Sequence, residues 1–172
     1  LGIFSENSFF FGLLLSRVRR GDFEGRKAKF RPFFTPTSMH PALARAMINL
    51  SRVRRGEVLL DPFVGTGTFL QEAKIIGCRA VGGDLDEEMV RGCKKNMEYY
   101  KMYDVGVVLE DARHLPFCRV DAVATDPPYG RSASTKGERP HALLERFVGE
   151  VAGMGLRRYC VLAAPSQAPV GE

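Results

Sequence analysis

From residue 58 onward the chain repeats one pattern: a short, largely apolar run, an acidic residue or a glycine, then a stretch with helical spacing. The runs are residues 58–60, 79–82, 105–109, 120–124 and 159–163, and the helical stretches are 67–76, 86–100 and 141–154. Strands that alternate with helices join as parallel neighbours through right-handed crossovers. Strands covered on both faces lose polar alternation and read as continuous apolar runs. The pattern therefore predicts an α/β domain, a mostly parallel sheet with helices on both faces. Local signals agree. Gly77 suits a left-handed cap after the first of these helices. Asp86, Glu87 and Glu88 complement the positive end of the second, whose inner stripe is Met89, Cys93, Met97 and Tyr100. Upstream, Pro41 in a first turn and the recurrence of Leu43, Ala46, Met47 and Leu50 predict another helix. The apolar residues 9–18, followed by the charged stretch 19–29, read as a strand or hairpin leading into the domain.

The chain has 172 residues, 45% of them hydrophobic, which is enough for one domain with its own core. Its net charge of +5 is uneven, because residues 1–60 carry eleven Lys and Arg against four Asp and Glu. A basic amino-terminal third suits a polyanionic partner, and equally a solvated charged face. Cys78, Cys93, Cys118 and Cys160 show no C-x-x-C spacing and lie in or beside apolar stretches. They read as small core residues in a reducing compartment, so the expected location is cytoplasmic. His40, His114 and His141 pair with no cysteine at ligand spacing, so no metal is expected. No apolar run reaches the roughly 18–20 residues that cross a bilayer. Residues 9–15 lack the basic leader and cleavage site of a signal peptide. The first residue is Leu1, which reads as the start of a fragment or processed product. Residues 1–30 are taken as a basic lead-in segment and 31–172 as the domain proper.

In such sheets ligands bind outside the carboxyl ends of the strands, where the strand order reverses. Four acidic motifs fall at such ends. Asp61-Pro62-Phe63-Val64-Gly65-Thr66-Gly67-Thr68 follows one strand and opens a helix. Its glycines let the backbone turn sharply and approach a ligand, and the new helix start presents free N–H groups. The third glycine of G-x-G-x-x-G is replaced by Leu70, and Asp61 would repel a pyrophosphate. A cationic amino-acid moiety fits better, which favours S-adenosylmethionine (SAM) with its ammonium and sulfonium. A G-x-x-x-x-G-K-[ST] phosphate loop is absent from the sequence. Gly82-Gly83-Asp84-Leu85-Asp86 places Asp84 where a carboxylate can accept both ribose hydroxyl protons. Asp86 reads better as the cap of the following helix. Glu110-Asp111-Ala112 offers Asp111 either to the adenine amino group or as a plain strand-closing residue. Asp126-Pro127-Pro128-Tyr129 follows the run 120–124. Its prolines fix the backbone and remove two donors. Carbonyl oxygens, a carboxylate and an aromatic ring then frame a flat niche suited to a planar group carrying an NH2.

At these residues the chain resembles the class I, Rossmann-like methyltransferases that use SAM to methylate amino groups. More narrowly, Arg31-Pro32-Phe33-Phe34-Thr35-Pro36-Thr37-Ser38-Met39, the motif at 61–68 and Asp126-Pro127-Pro128-Tyr129-Gly130-Arg131-Ser132 are similar to the archaeal tRNA guanine-N2 methyltransferases. The resemblance covers roughly residues 31–165. It implies SAM as cofactor, tRNA as partner and Asp126, Pro127, Pro128 and Tyr129 as the catalytic set. For the cofactor it implies Thr37, Ser38, Asp61, Phe63, Gly65, Thr66, Gly67, Thr68, Asp84, Leu85, Asp111 and Ala112. Thr37 and Ser38 either touch the methionine end of the cofactor or cap the next helix. Arg131, Lys136 and Arg139 either clamp RNA phosphates or belong to a solvated loop. Members of that family usually carry an amino-terminal RNA-binding THUMP domain and two further strands after the fifth. The expected domain is therefore truncated at its C-terminal strands and relies on a missing RNA-binding domain or partner subunit. Two other readings stay open: a DNA adenine-N6 or cytosine-N4 methyltransferase, and a SAM- and RNA-binding module without activity of its own.

Overall fold

The computed structural model describes residues 2–15, 17–128 and 140–164. The lead-in is an antiparallel hairpin, β1 (Gly2–Ser5) with β2 (Ser8–Phe11), then a short α1 (Arg20–Glu24) and a 3-10 turn (Ala28–Phe30). After α2 (Pro41–Leu50) come β3 (Val58–Asp61), α3 (Thr68–Ile75), β4 (Arg79–Asp84), α4 (Glu87–Tyr99) and β5 (Gly106–Leu109). They are followed by β6 (Ala122–Thr125), α5 (Pro140–Gly153) and β7 (Cys160–Leu162). The last five strands are parallel, in the order β5-β4-β3-β6-β7. The chain steps outward from β3 to β4 and β5, then returns to the other side of β3 for β6 and β7. The crevice between the carboxyl ends of β3 and β6 is thus the switch point, where such sheets take their ligands.

Neighbouring residues along a strand feed separate cores. Leu59, Ala80, Val107, Ala122 and Ala124 pack with Met47 and Ile48 of α2, Phe69 and Leu70 of α3, and Cys93 and Met97 of α4. Leu60 and Val123 point the other way, onto Phe147 and Val151 of α5. Helices cover both faces, which is why these strands carry so little polar alternation. Gly77 has φ +85°, as its capping position requires. Asp86 caps α4 by accepting the Glu88 N–H at 2.8 Å.

The apolar recurrence that predicts α2 does not mark its buried face. Pro41, Ala44, Met47 and Ile48 face inward, whereas Leu43 (52% exposed), Ala46 and Leu50 (66% exposed) face out. Both sets recur at helical spacing, so periodicity alone permits either. Packing selects the face on which the small Ala44 lets α2 lie against α3 and β6. Neither Thr37 nor Ser38 caps this helix; His40 does, its Nδ1 accepting the Ala42 N–H at 3.1 Å. The lead-in is anchored by Glu72 of α3, a fully buried carboxylate that pairs with Arg26 and Arg45, each at 2.7 Å. Among the described residues no helix is long and apolar enough to cross a membrane.

Candidate active site

Strand β3 ends on Asp61, and the chain then turns through Gly65 (φ +46°) and Gly67 (φ +86°) into α3. A Cβ on Gly67 would stand 2.7 Å from Cys93 Sγ and 2.9 Å from Met97 Cε, so both its conformation and its surroundings demand glycine. The loop is held from several sides. Val64 N donates to Gly83 O and Gly67 N to Val64 O, both at 2.8 Å. Gly65 N donates to Asp84 Oδ2 at 3.0 Å. Thr66 and Thr68 are buried, and their hydroxyls are tied to residues upstream of α2.

Four adjacent strands each end in acid. Asp126 follows β6, Asp61 closes β3, Asp84 closes β4, and Glu110 with Asp111 follows β5. Asp61 is fully buried. Its Oδ1 accepts from Thr125 Oγ1 at 2.6 Å and from Phe63 N at 3.3 Å, while Oδ2 has no partner among the described residues. Burial, with the charges of Asp84 and Asp126 adding to it, pushes this carboxyl up to about 7. Asp84 is also raised, chiefly by burial. Its two oxygens accept the Gly65 and Asp86 N–H groups, so it braces the glycine loop as well as facing the rim.

At β5 the structure separates two acids that the sequence leaves side by side. Asp111 is wrapped by its own neighbour Arg113, whose Nε lies 2.8 Å and 3.0 Å from its two oxygens, and this holds its carboxyl down at about 2. Glu110 is only 7% exposed and leans over Gly83, and neither carboxyl oxygen has a partner among the described residues. Burial first, then the charges of Asp111, Asp84 and Asp61, push it up to about 8. Sequence reasoning passed over Glu110. Its one signal is that it stands nearer the strand end than Asp111, and no pattern tells which of two adjacent acids a following arginine will take.

Other expected residues are placed as follows. The Phe63 ring packs edge-on against Phe147 of α5, with centroids 5.3 Å apart, so its contribution to the rim is its N–H. Leu85 is half-buried beside Asp84, and Ala112 is buried in the α5-side core. Ser38 Oγ accepts from Thr66 Oγ1 at 2.9 Å, which joins it to the glycine loop. Thr37 is exposed, and its hydroxyl lies 3.3 Å from Thr35 Oγ1, away from that loop. Asp126 is half-buried and Pro127 buried at the end of β6. Tyr129, Arg131, Lys136 and Arg139 lie outside the described residues.

A buried carboxyl oxygen without a donor is costly unless it stays neutral or meets a cation or an N–H or O–H group. The rim offers three such atoms, Asp61 Oδ2 and both oxygens of Glu110. A phosphate would only add to the repulsion. A ligand with an ammonium, a sulfonium and ribose hydroxyls would relieve it, so these residues fit SAM.

The family described as UPF0020, RMKL-like, methyltransferase domain, matches residues 28–167. The tRNA (guanine(10)-N2)-dimethyltransferase of Methanothermobacter thermautotrophicus is 47% identical over 135 residues, covering 78% of this chain and 40% of the relative. Its namesake from Methanocaldococcus jannaschii is 43% identical over 142 residues, covering 77% and 40%. The chain thus spans about two-fifths of the length of these curated relatives. Among solved structures, TrmN from Thermus thermophilus aligns with a TM-score of 0.61 at 29% identity, over 74% of this chain and 36% of that one. A possible methylase from Clostridium difficile 630 shares the fold, with a TM-score of 0.64 at 21% identity over 79% of this chain and 46% of that one. Because the family match runs from the 3-10 turn through β7, taking in every parallel strand and each acidic strand end, the chain belongs to the RMKL-like methyltransferase-domain family.

Proposed function

We propose that this chain is the methyl-transfer part of an enzyme that methylates the exocyclic N2 amine of a guanine in tRNA, with SAM as donor. One observation carries the reading. Asp126-Pro127 leaves β6 at the switch point, next to the acid that closes β3, and Thr125 Oγ1 donates to Asp61 Oδ1 at 2.6 Å between them. On this reading, a site for an amine would adjoin a site for a cationic cofactor. The relatives' names support guanine 10 as the target and the archaeal ones a second methylation of the same nitrogen.

When bound, SAM supplies a methyl group already activated by a sulfonium. Asp61 and the Gly65–Gly67 loop would hold its amino-acid end, and Asp84 its ribose. The guanine amine is a poor nucleophile because its lone pair is delocalised into the ring. Asp126 and the Pro127 carbonyl each accept one N–H of that amine, which favours a pyramidal nitrogen aimed at the donor side of the crevice. The Asp126 carboxylate then takes the proton that the product amine loses. Tyr129 would stack on the base, worth about 1–3 kcal/mol for such a contact. A target inside a helix must first be flipped out. The basic amino-terminal residues would meet phosphates. Arg26, Arg31 and Arg45 are committed to contacts within the fold and Lys27 pairs with Glu24, so Arg19, Arg20 and Lys29 are the better placed.

The test is incubation with labelled SAM and unmodified tRNA, beside unmethylated duplex DNA, with the product nucleotide mapped by mass spectrometry. Label on guanine N2 that disappears in Asp126→Ala is the expected result. Label on DNA alone would move the substrate to adenine or cytosine. SAM bound without transfer to any RNA or DNA would leave a binding module.

A further inference from the structure

Segment 31–38, upstream of α2, is tied to the glycine loop through three groups. Arg31 is 4% exposed and donates from Nη1 to Thr68 Oγ1 at 2.8 Å and to Thr66 Oγ1 at 3.3 Å. Ser38 Oγ accepts from Thr66 Oγ1 at 2.9 Å. The third group is Asn96 of α4, which is fully buried. Its Oδ1 accepts from Phe33 N at 2.9 Å, and its Nδ2 donates to Phe33 O at 2.8 Å and to Thr66 O at 2.9 Å. One amide thus grips the backbone of two segments and uses both its donors and an acceptor. One turn earlier on the same helix, Gly92 leaves room for the Phe33 ring, since a Cβ there would stand 2.1 Å from Phe33 Cδ1.

We propose that Asn96 is a positioning residue that makes the conformation of the cofactor loop depend on how segment 31–38 is seated. The proposal rests on reading that loop as part of the SAM site. Thr66 lies between two glycines with positive φ, a stretch of backbone with several conformations open to it. The Asn96 amide selects the one in which the Thr66 carbonyl turns toward α4. A ligand that binds only that conformation loses affinity in proportion to the fraction of molecules that leave it. Segment 31–38 continues directly from the basic lead-in, so a displacement of that lead-in would be felt at the loop.

Three variants of the whole chain test this. Asn96→Ala removes the amide. Asn96→Asp keeps the acceptor for Phe33 N but sets a carboxylate against two carbonyls. Gly92→Ala leaves Asn96 and the loop chemically intact, displaces Phe33, and puts a better helix former in α4. Each should weaken SAM binding about tenfold by calorimetry, the scale of one lost buried hydrogen bond. Each should also speed amide exchange at residues 65–68 while the β3 and β4 amides keep wild-type protection. Wild-type affinity and loop exchange in Gly92→Ala would overturn the proposal. So would exchange rising equally throughout the fold, which marks a merely structural role. The exchange measurement needs no cofactor. If the wild-type protein binds no SAM, the cofactor reading falls and loop exchange still decides the role of Asn96.

Discussion

Replacing Asp61 by asparagine should change how stability depends on pH, in a direction set by its burial. In the unfolded chain this carboxyl ionises near 3.8, whereas in the folded protein burial and neighbouring acids push it to about 7. Its folded pKa lies above its unfolded one. Its contribution to stability is therefore fully present below about pH 4 and is lost as the pH rises toward and through 7, because only the unfolded chain can ionise it freely. Each pH unit in that window costs about 1.4 kcal/mol, and the whole difference amounts to about 4 kcal/mol. Asparagine retains the oxygen that accepts from Thr125 and Phe63 but carries no charge at any pH. It adds a buried NH2 without a partner, a fixed penalty of about 1–3 kcal/mol that does not vary with pH.

The assay is urea unfolding followed by circular dichroism at several pH values from 5 to 8, for wild type and Asp61→Asn in parallel. The fixed penalty cancels in the trend. Relative to wild type, the variant should gain about 3 kcal/mol of stability between pH 5 and pH 8. Loss of the Asp61 charge also relieves Glu110, on which it acts, and this works in the same direction. A cationic ligand reverses the sense: it binds the ionised carboxylate, so SAM should stabilise the wild type increasingly as the pH rises, and Asp61→Asn much less so. A stability difference that stays flat within about 1 kcal/mol would show that Asp61 is not a buried, proton-holding acid, and the electrostatic case for a cationic cofactor would go with it.

Asp84→Ala removes the acceptor of Gly65 N and a candidate ribose partner, so calorimetry should show SAM affinity lower by about 1.5–3 kcal/mol; unchanged affinity would take Asp84 out of the site. Gly67→Ala forces a side chain into a left-handed backbone against Cys93 and Met97, and the urea midpoint should fall by the equivalent of about 1–2 kcal/mol or more. An unchanged midpoint would mean that the loop takes another path. Glu72→Ala leaves Arg26 and Arg45 without their buried carboxylate and should cost about 3–5 kcal/mol of unfolding free energy, whereas a loss below about 1 kcal/mol would mark the pairing as incidental.

What the sequence disclosed and what it withheld divide by the range of the interaction. The five strands, the Gly77 turn and the Asp86 cap depend on residues within a few positions of one another, so their signals lie in one window. The buried face of α2 was not legible because two sets of residues share one helical period, and only α3 and the sheet choose between them. Phe63 reads as a loop residue near a ligand until α5, some eighty positions later, supplies Phe147 to receive its ring. Asn96 sits 63 residues from the Phe33 backbone that it grips, and nothing near either position announces the other. Long-range polar contacts of this kind leave no periodic trace.

The acidic edge shows why such contacts are needed. Parallel strands of one sheet bring Asp126, Asp61, Asp84 and Glu110 to the same side whatever their charges, and the mutual repulsion is a cost that hydrophobic packing below must offset. A rim that only had to be stable would place its acids as Asp111 is placed, beside an arginine. Asp61 and Glu110 instead stay buried without a counter-charge close by and carry raised pKa values. Such an arrangement costs stability and would be relieved by a cation arriving from outside. For such a cation to bind well, the glycine loop would have to hold one shape beforehand, or the ordering cost would be drawn from binding. Thr66, held by Arg31, Ser38 and Asn96 together, meets that requirement with groups that lie outside the acidic rim.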